Sequence, residues 1–476
     1  MERRRAIALL GTTVGALAGA GLYGRYRLLP PSPSEPLAGV DELAIRLFDS
    51  MGPAVRERAC VDYDHPLRQY HNRGVRGGGI PITGGNFSWE QRGILTDLLY
   101  AGLSEQGRAR VPHEFFINWP GVQLMSVLIC GDPRVSPWQI ILSGPHLNLR
   151  LGGRSREGVA FGGPQVYGDQ RGNNKQGLPG NLYRYQFQAA HRLFLSLDPS
   201  QRQAALLPRA PIQTQIELRG SRGALPGVAV SCLSPESRTI AGDLIDGILS
   251  TYPPEDSAYA KECLETNGGV DGLFLSYYEE GEVAGSREYQ IFRLEGPAAV
   301  FYFRGYPHVH AFINVAMNGD EPLSVGEVVG VNPAVLEGPA VKRLFEDAMR
   351  DHAAADFAYY DEEGVVGRLR EGLIRAGDIF NLESWQDHVT VVEIQGAGIQ
   401  GPLLEQLRSS GIDPSPGRRY SIATTTDVAT QLARGPLGRI GWARHGILLR
   451  DVTIAYLKRQ WSPGPGLDGP VPPRLG

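Results

Sequence analysis

The sequence predicts an α+β fold, in which a β-rich N-terminal region with antiparallel hairpins and packed helices precedes a unit that alternates helix and strand. Hydrophobic residues make up 42% of the 476 residues, which supplies a sizeable core and excludes wholesale disorder. The 61 glycines and 35 prolines indicate many turns, and therefore much β-structure. In the last third of the chain, strand-like runs alternate with helical periodicity.

Residues 1–36 are predicted to be a targeting segment rather than part of the fold. Arg3, Arg4 and Arg5 precede an uncharged and weakly apolar stretch, 6–24, and this order is typical of a twin-arginine signal peptide. Cleavage would release an exported, periplasmic protein, whereas an uncleaved stretch of this length would anchor the protein in a membrane, facing the periplasm. A Pro-rich linker completes the segment.

For residues 37–330, periodicity and capping residues predict a single α+β domain. Ser88 and Ser234 each precede an apolar stripe at helical spacing, so both are predicted N-caps. Helices are predicted at 41–48, 89–107, 183–197 and 199–207, and from 235 onward. Strands are predicted at 138–142 and 146–151, and in a β-meander of 290–294, 298–304 and 308–315. The Gly-rich run 152–180 is predicted to be mostly loop.

A second domain is predicted to begin where small residues and proline cluster, near residue 331, and to end at 461. Its helices are predicted at 341–352, 403–409 and 448–456, and its strands at 357–360, 389–395 and 420–424. The Pro- and Gly-rich tail, 462–476, is predicted to be flexible.

Charge and cysteine content exclude two classes of function. The 47 basic and 51 acidic side chains give a net charge of -4, without the basic excess of a nucleic-acid-binding protein. None of the four cysteines forms a Cys-x-x-Cys pair, which excludes zinc ribbons and thioredoxin-type redox sites. In an exported protein the cysteines could form disulfides, and the alternative is buried thiols. The predicted partner is an unknown small-molecule substrate, with no nucleic acid and with membrane contact only through the possible N-terminal anchor.

Histidines provide the strongest chemical signal. His308 and His310 are two residues apart in a predicted strand, so both imidazoles lie on one face and can bind one metal ion. His146 lies on the polar face of another predicted hairpin, and the three rings would meet if two sheets opposed their polar faces. Such a set, with an open position for water, suits zinc, iron, copper or manganese. The alternative is that both strand faces are simply solvated.

Three polar residues on the same predicted strand faces are candidates for binding a substrate. Arg150 shares a face with His146, Asn314 shares a face with His310, and Arg304 ends the neighbouring strand. The two arginines would hold an anionic group of the substrate. No carboxylate stands four or five residues after His310, as a cupin-like site would require, and the sequence assigns no catalytic residue.

Five separated segments follow one another at 99–107, 138–149, 160–164, 195–205 and 289–310. In this order they make residues 40–330 resemble a family of uncharacterised, exported bacterial proteins. The family carries a Gly-His-His-Leu strand and a later His-x-His, but its first histidine is Pro145 in this chain, so only His146 remains of that pair. The resemblance implies export and no particular reaction.

In the last part of the chain, four segments follow one another at 356–360, 372–380, 389–407 and 420–428. In this order they resemble the C-terminal domain of periplasmic nucleotidases of the metallophosphoesterase type. The resemblance implies a mixed α/β sandwich domain that grips a nucleoside and presents it to a separate dimetal domain. This chain lacks the dimetal domain, and it departs from the family at the Gly-Gly-Ile-Arg turn, near 364–368, and at the base-stacking loop, 434–438. The resemblance therefore implies a retained scaffold and a lost nucleotide grip.

These observations leave three hypotheses for the function. The first is an exported metal-dependent hydrolase with a His-x-His metal site. The second is a non-catalytic exported protein that binds a ligand or partner through its Gly-rich loop. The third is a nucleotidase-like phosphohydrolase. Convergence of the three histidines within about 5 Å would favour the first hypothesis over the second, because metal–nitrogen bonds are about 2.0–2.1 Å long.

Overall fold

A computed structural model describes residues 37–461 apart from 70–78, 119–124, 136, 145, 153–157, 172–176, 213–214, 321–324, 384–385, 410 and 435–440. The chain forms two compact units, one containing residues up to 63 and 71–321, the other containing 64–70 and the residues after 321. The predicted α+β class is confirmed. The predicted signal peptide, linker and tail lie outside the described residues. In the described part of the chain, no helix combines the length and apolar character needed to cross a membrane.

The first unit is built on one large mixed sheet. Its helices are α1 Val40–Ser50, α2 Pro53–Ala59, α3 Trp89–Ala101, α4 Glu105–Asn118, α5 Arg184–Ser196, α6 Pro199–Ala205, α7 Pro235–Leu249 and α8 Pro254–Glu265. Its strands are β1 Cys60–Val61, β2 Ile80–Pro81, β3 Ser126–Cys130, β4 Gln139–Gly144, β5 Leu147–Leu151, β6 Gln165–Asp169, β7 Leu206–Leu207, β8 Val228–Ala229, β9 Phe274–Tyr278, β10 Ile291–Gly296, β11 Ala299–Arg304 and β12 Val309–Val315. The strand order is β1-β3-β4-β5-β6-β12-β11-β10-β9-β7, with β2 beside β3 and β8 beside β9.

One face of this sheet forms the hydrophobic core. Val309 and Ile313 lie on the same side of β12, and both are fully buried in that core. Helix α5 packs on the same face through Phe194, whose ring centroid lies 4.9 Å from that of Tyr277. The Tyr277 hydroxyl donates a hydrogen bond to the carbonyl oxygen of Ala190 at 2.6 Å, which fixes the helix against β9.

The opposite face of the sheet is polar, and an irregular segment covers it. The Tyr302 hydroxyl on β11 donates to the carbonyl oxygen of Pro211 at 2.6 Å. The Asn314 amide on β12 donates to the carbonyl oxygen of Ile216 at 2.9 Å. These side chains satisfy backbone groups of a segment without regular structure, so this part of the polar face is buried rather than solvated.

Two predicted elements differ from the structure. The predicted helix 89–107 is two helices, α3 and α4, because the chain breaks at Gly102 and Ser104 restarts it by accepting a hydrogen bond from the Gly107 amide at 3.0 Å. The predicted loop 152–180 contains strand β6. Its sequence, Gln-Val-Tyr-Gly-Asp, has little apolar character, and its strand state comes from pairing with β5 and β12 on either side.

The second unit combines a four-stranded sheet with helices, as predicted for this part of the chain. Its helices are α9 Gly338–Ala353, α10 Ala376–Leu382, α11 Pro402–Ser409, α12 Thr426–Arg434 and α13 Leu449–Gln460. Its strands are β13 Val328–Asn332, β14 Phe357–Ala358, β15 Gly372–Arg375, β16 His388–Gln395, β17 Arg419–Thr425 and β18 Gly441–Leu448. The larger sheet has the order β14-β17-β16-β18, and β13 pairs with β15. Phe345 and Met349 of α9 are fully buried in its core.

Candidate metal centre

The three predicted histidines come from strand ends of a single sheet. His146 immediately precedes β5, His308 immediately precedes β12, and His310 is the second residue of β12. The expectation that two sheets would oppose their polar faces is therefore wrong, since β5 and β12 belong to the same sheet and only β6 lies between them. The rings meet because all three side chains project from the same face of neighbouring strands.

Gly168 of β6 lies between the histidines. It is the direct partner of His310 in the antiparallel pairing of β6 with β12. A Cβ atom placed on Gly168 would lie 3.4 Å from the Cβ of His146 and only 2.2 Å from the carbonyl oxygen of Val309. Strand β6 thus contributes no side chain at this point, and the imidazoles of His146 and His310 approach each other across it, with ring centroids 5.1 Å apart.

The ligand atoms of the three rings are close enough to share one ion. One nitrogen from each ring lies within 4.8 Å of the others, and the Nε2 atoms of His308 and His310 are 3.1 Å apart. Two nitrogens on a tetrahedral zinc ion, each bonded at about 2.05 Å, would be separated by about 3.3 Å. The His308–His310 pair has nearly this spacing, and a nitrogen of His146 lies within 4.8 Å of both.

Burial and charge favour the neutral, metal-binding form of His308. His146 is 7% exposed, and the other two rings are half-buried. Burial lowers the pKa of His308 below its usual value, the nearby His146 lowers it further, and Asp169 opposes the change. A neutral imidazole is the form that binds a metal, so a metal ion that binds His308 at neutral pH rarely has to displace a proton.

Asp169, which the sequence did not single out, acts on His308 only through its charge. Its carboxylate is fully buried and accepts hydrogen bonds from the backbone amide of Leu182 at 2.7 Å and from that of Arg171 at 3.1 Å. The Arg171 guanidinium also contacts it at 3.0 Å. The Asp169 carboxylate therefore holds Arg171 and Leu182, which follow β6, in place.

A cavity of about 390 Å³ opens beside two of the histidines. Its wall contains small and apolar residues, two charged residues, an aromatic residue and the two imidazoles, namely Ala210, Pro211, Ile212, Glu280, Arg304, Tyr306, Pro307, His308 and His310. The cavity is large enough for a small substrate next to a bound ion.

Glu280 is a cavity residue that sequence reasoning missed. It lies in a short 3₁₀ turn, Glu279–Gly281, directly after β9. One of two adjacent glutamates on a turn looks like an ordinary surface residue in the sequence. Glu280 reaches the cavity only because β9 lies in the same sheet as β11 and β12, and no local sequence pattern records that arrangement.

The three predicted substrate-binding residues lie in different surroundings. Arg304 lines the cavity with the histidines. Arg150 is buried elsewhere on the face, where its Nε donates to the carbonyl oxygen of Pro164 at 2.7 Å and its Nη1 donates to Gln139 at 3.1 Å. Asn314 holds the covering segment, and neither it nor Arg150 is among the residues that line this cavity. Of the three, the structure therefore brings only Arg304 to the cavity beside the histidines.

Comparison with known proteins identifies one part of the chain. Residues 331–436 match the family model of the 5'-nucleotidase C-terminal domain. The predicted resemblance of the last part of the chain is thereby confirmed for these residues, which include α9, α10, α11 and the sheet strands β14, β16 and β17. No curated protein matches the chain. The resemblance of residues 40–330 to an uncharacterised exported family stays a prediction.

Three solved structures show distant similarity to the chain. A 5'-nucleotidase precursor from Thermus thermophilus is 11% identical over 39% of this chain and 51% of its own, with a TM-score of 0.26. The NAD nucleotidase of Haemophilus influenzae is 10% identical over 40% and 55%, with a TM-score of 0.24. A Staphylococcus aureus protein described as a putative 5'-nucleotidase is 9% identical over 36% and 48%, with a TM-score of 0.21. The chain spans about half the length of these proteins, and the domain assignment rests on the family model.

Proposed function

We propose that this protein is a metal-dependent hydrolase whose ion is held by His146, His308 and His310. The observation that supports the proposal is the convergence of three imidazoles, with nitrogens within 4.8 Å of one another, beside a cavity for a small molecule. A shared ion also explains why polar rings are packed so tightly on a face that is otherwise used to satisfy backbone groups. The purely ligand-binding hypothesis offers no reason for this arrangement.

The donor set determines the chemistry. Three neutral nitrogen ligands leave a divalent ion with its full positive charge and at least one open position, as in catalytic zinc sites. An ion in such a site lowers the pKa of bound water to about 7 and polarises a carbonyl or phosphoryl oxygen. The histidines hold the ion, and Arg304 lies on the cavity wall, where its guanidinium pairs with Glu280. Zinc, iron, copper and manganese all remain compatible with the ligand types.

Metal analysis of the purified full-length protein tests this proposal. After dialysis against metal-free buffer and addition of Zn²⁺, we expect about one ion per chain. His310→Ala and His146→Ala should each reduce the bound zinc at least tenfold, because a site with two ligands is much weaker. His388→Ala is the matched control, since this histidine is exposed on β16 in the second unit. A wild-type protein that holds no stoichiometric metal would refute the proposal.

A second candidate, phosphate ester hydrolysis, is favoured by the match of residues 331–436 to a nucleotidase domain. In this version the substrate is a nucleotide or another phosphate ester, and the reaction occurs at the histidine site of the first unit. Release of inorganic phosphate from AMP by the zinc-loaded protein would support it. Hydrolysis of carboxylic esters without phosphate release would instead place the substrate among acyl compounds.

We also propose that the protein is exported through the segment that contains Arg3, Arg4 and Arg5. Cell fractionation of a tagged full-length chain tests this, with Arg3→Lys/Arg4→Lys/Arg5→Lys as the variant, because twin-arginine export depends on the arginine pair rather than on positive charge alone. Retention of the variant in the cytoplasm, with export of the wild type, is the expected result.

A further inference from the structure

The cavity beside the histidines contains one carboxylate, and its surroundings are specific. Glu280 Oε1 lies 3.4 Å from Nη2 of Arg304, and the Glu280 side chain is 37% exposed. Arg304 in turn is the direct cross-strand partner of His310 in the pairing of β11 with β12. Directly opposed residues of an antiparallel pair have Cβ atoms about 5 Å apart. The carboxylate is therefore linked to the metal-binding strand through a single side chain.

The backbone that carries Glu280 is held in place. The amide of Gln290 donates to the carbonyl oxygen of Gly281 at 2.8 Å, which ties the turn to the start of β10. A Cβ atom on Gly281 would lie 2.6 Å from Cγ1 of Ile291, so the turn packs directly against that strand. Glu280 is thus presented to the cavity by a fixed turn rather than by a free surface loop.

Arg304 is also held in place, by hydrogen bonds that its guanidinium group donates. Its Nη1 donates to the carbonyl oxygen of Pro211 at 3.0 Å and to the Tyr302 hydroxyl at 2.7 Å. With both Nη1 protons used in this way, Nη2 is directed to Glu280. The guanidinium therefore orients the Glu280 carboxylate, which stays partly exposed beside the cavity.

From this geometry we infer that Glu280 is the proton acceptor of the hydrolysis and that Arg304 is its positioning residue. The inference rests on the proposed function. Glu280 removes a proton from the attacking water, whose oxygen forms the new bond to the carbonyl carbon or to phosphorus. The bond to the leaving group then breaks, and the proton on Glu280 passes to that group. The carboxylate is regenerated, and no other reactant is consumed.

The test combines zinc content with hydrolysis of two probes, p-nitrophenyl acetate and bis(p-nitrophenyl) phosphate, by the zinc-loaded full-length protein. Glu280→Gln keeps the shape of the side chain but cannot accept the proton. We expect kcat/KM to fall about 10²–10⁴-fold with zinc content unchanged. Glu279→Gln, on the same turn but outside the cavity wall, is the matched control and should match the wild type.

A double-mutant cycle tests the role of Arg304. Arg304→Met should lower kcat/KM about tenfold in the wild-type background and have no further effect in Glu280→Gln, because it acts through the carboxylate. A loss of zinc in Glu280→Gln would make Glu280 a metal ligand and overturn the inference, as would activity within threefold of the wild type. In both cases the proposed function stands. A wild type that binds no zinc, or that binds zinc and hydrolyses neither probe, overturns the proposed function and the inference together.

Discussion

Substitution of Gly168 by alanine tests the histidine site without touching any ligand. The added Cβ would lie 2.2 Å from the carbonyl oxygen of Val309, a backbone atom of the neighbouring strand. The closest comfortable carbon–oxygen contact is about 3.3 Å, so β6 and β12 must separate by about 1 Å at this point. Strand β6 lies between β5 and β12, so this separation moves His310 away from His146.

This displacement is large compared with the tolerance of a metal site. Metal–ligand distances in real sites lie within about 0.2 Å of their standard values, so a shift of about 1 Å removes one histidine from the ion. We expect the affinity for Zn²⁺ to fall about 100-fold, which is about 2.7 kcal/mol of binding free energy. The overpacked sheet should also lose about 1–3 kcal/mol of unfolding free energy.

The assay is competition for Zn²⁺ with a chromophoric chelator, together with urea unfolding of the zinc-free protein. Gly242→Ala is the matched control, because this glycine lies in α7 and an added Cβ would have no atom within 4 Å. Alanine should stabilise that helix by about 0.5–1 kcal/mol and leave zinc binding unchanged. If Gly168→Ala binds zinc as tightly as the wild type, the histidines do not bridge β6, and the reasoning is refuted.

Two further predictions concern stability. Removal of zinc by a chelator should lower the melting temperature of the first unit, and added Zn²⁺ should restore it, because an ion bound only by the folded state stabilises that state by mass action; an unchanged melting temperature at saturating Zn²⁺ would contradict this. In the second unit, hydrogen bonds from the Ser421 amide and hydroxyl and the Arg418 guanidinium hold the pKa of Asp356 below its usual value. This contribution is present above the ordinary carboxyl pKa near 4 and is lost as the pH falls through the lowered value. In urea unfolding, Asp356→Asn should therefore cost about 0.5–1 kcal/mol at pH 7, because solvent screens this partly exposed side chain, and less as the pH falls below 4, with the exposed Asp413→Asn as control; an equal cost across this pH range would show that charge is not involved.

The sequence by itself determined the properties that depend on local chemistry. Alternation along β12 placed His308 and His310 on one face and Val309 on the other, because successive side chains of a strand point to opposite sides. Ser88 was identified as an N-cap, and the structure shows its hydroxyl accepting from the Gln91 amide. The α+β class and the nucleotidase-like scaffold of residues 331–436 also followed from sequence alone.

Only the tertiary structure decided which strands are neighbours. Strand β6 is a weak strand by composition, yet it occupies the central position between β5 and β12, and its Gly168 leaves the gap that the imidazoles fill. Glu280 reaches the cavity because β9, β10, β11 and β12 lie side by side. Strand order and register are set by hydrogen bonds and apolar burial between segments far apart in the chain, and no local pattern records those pairings.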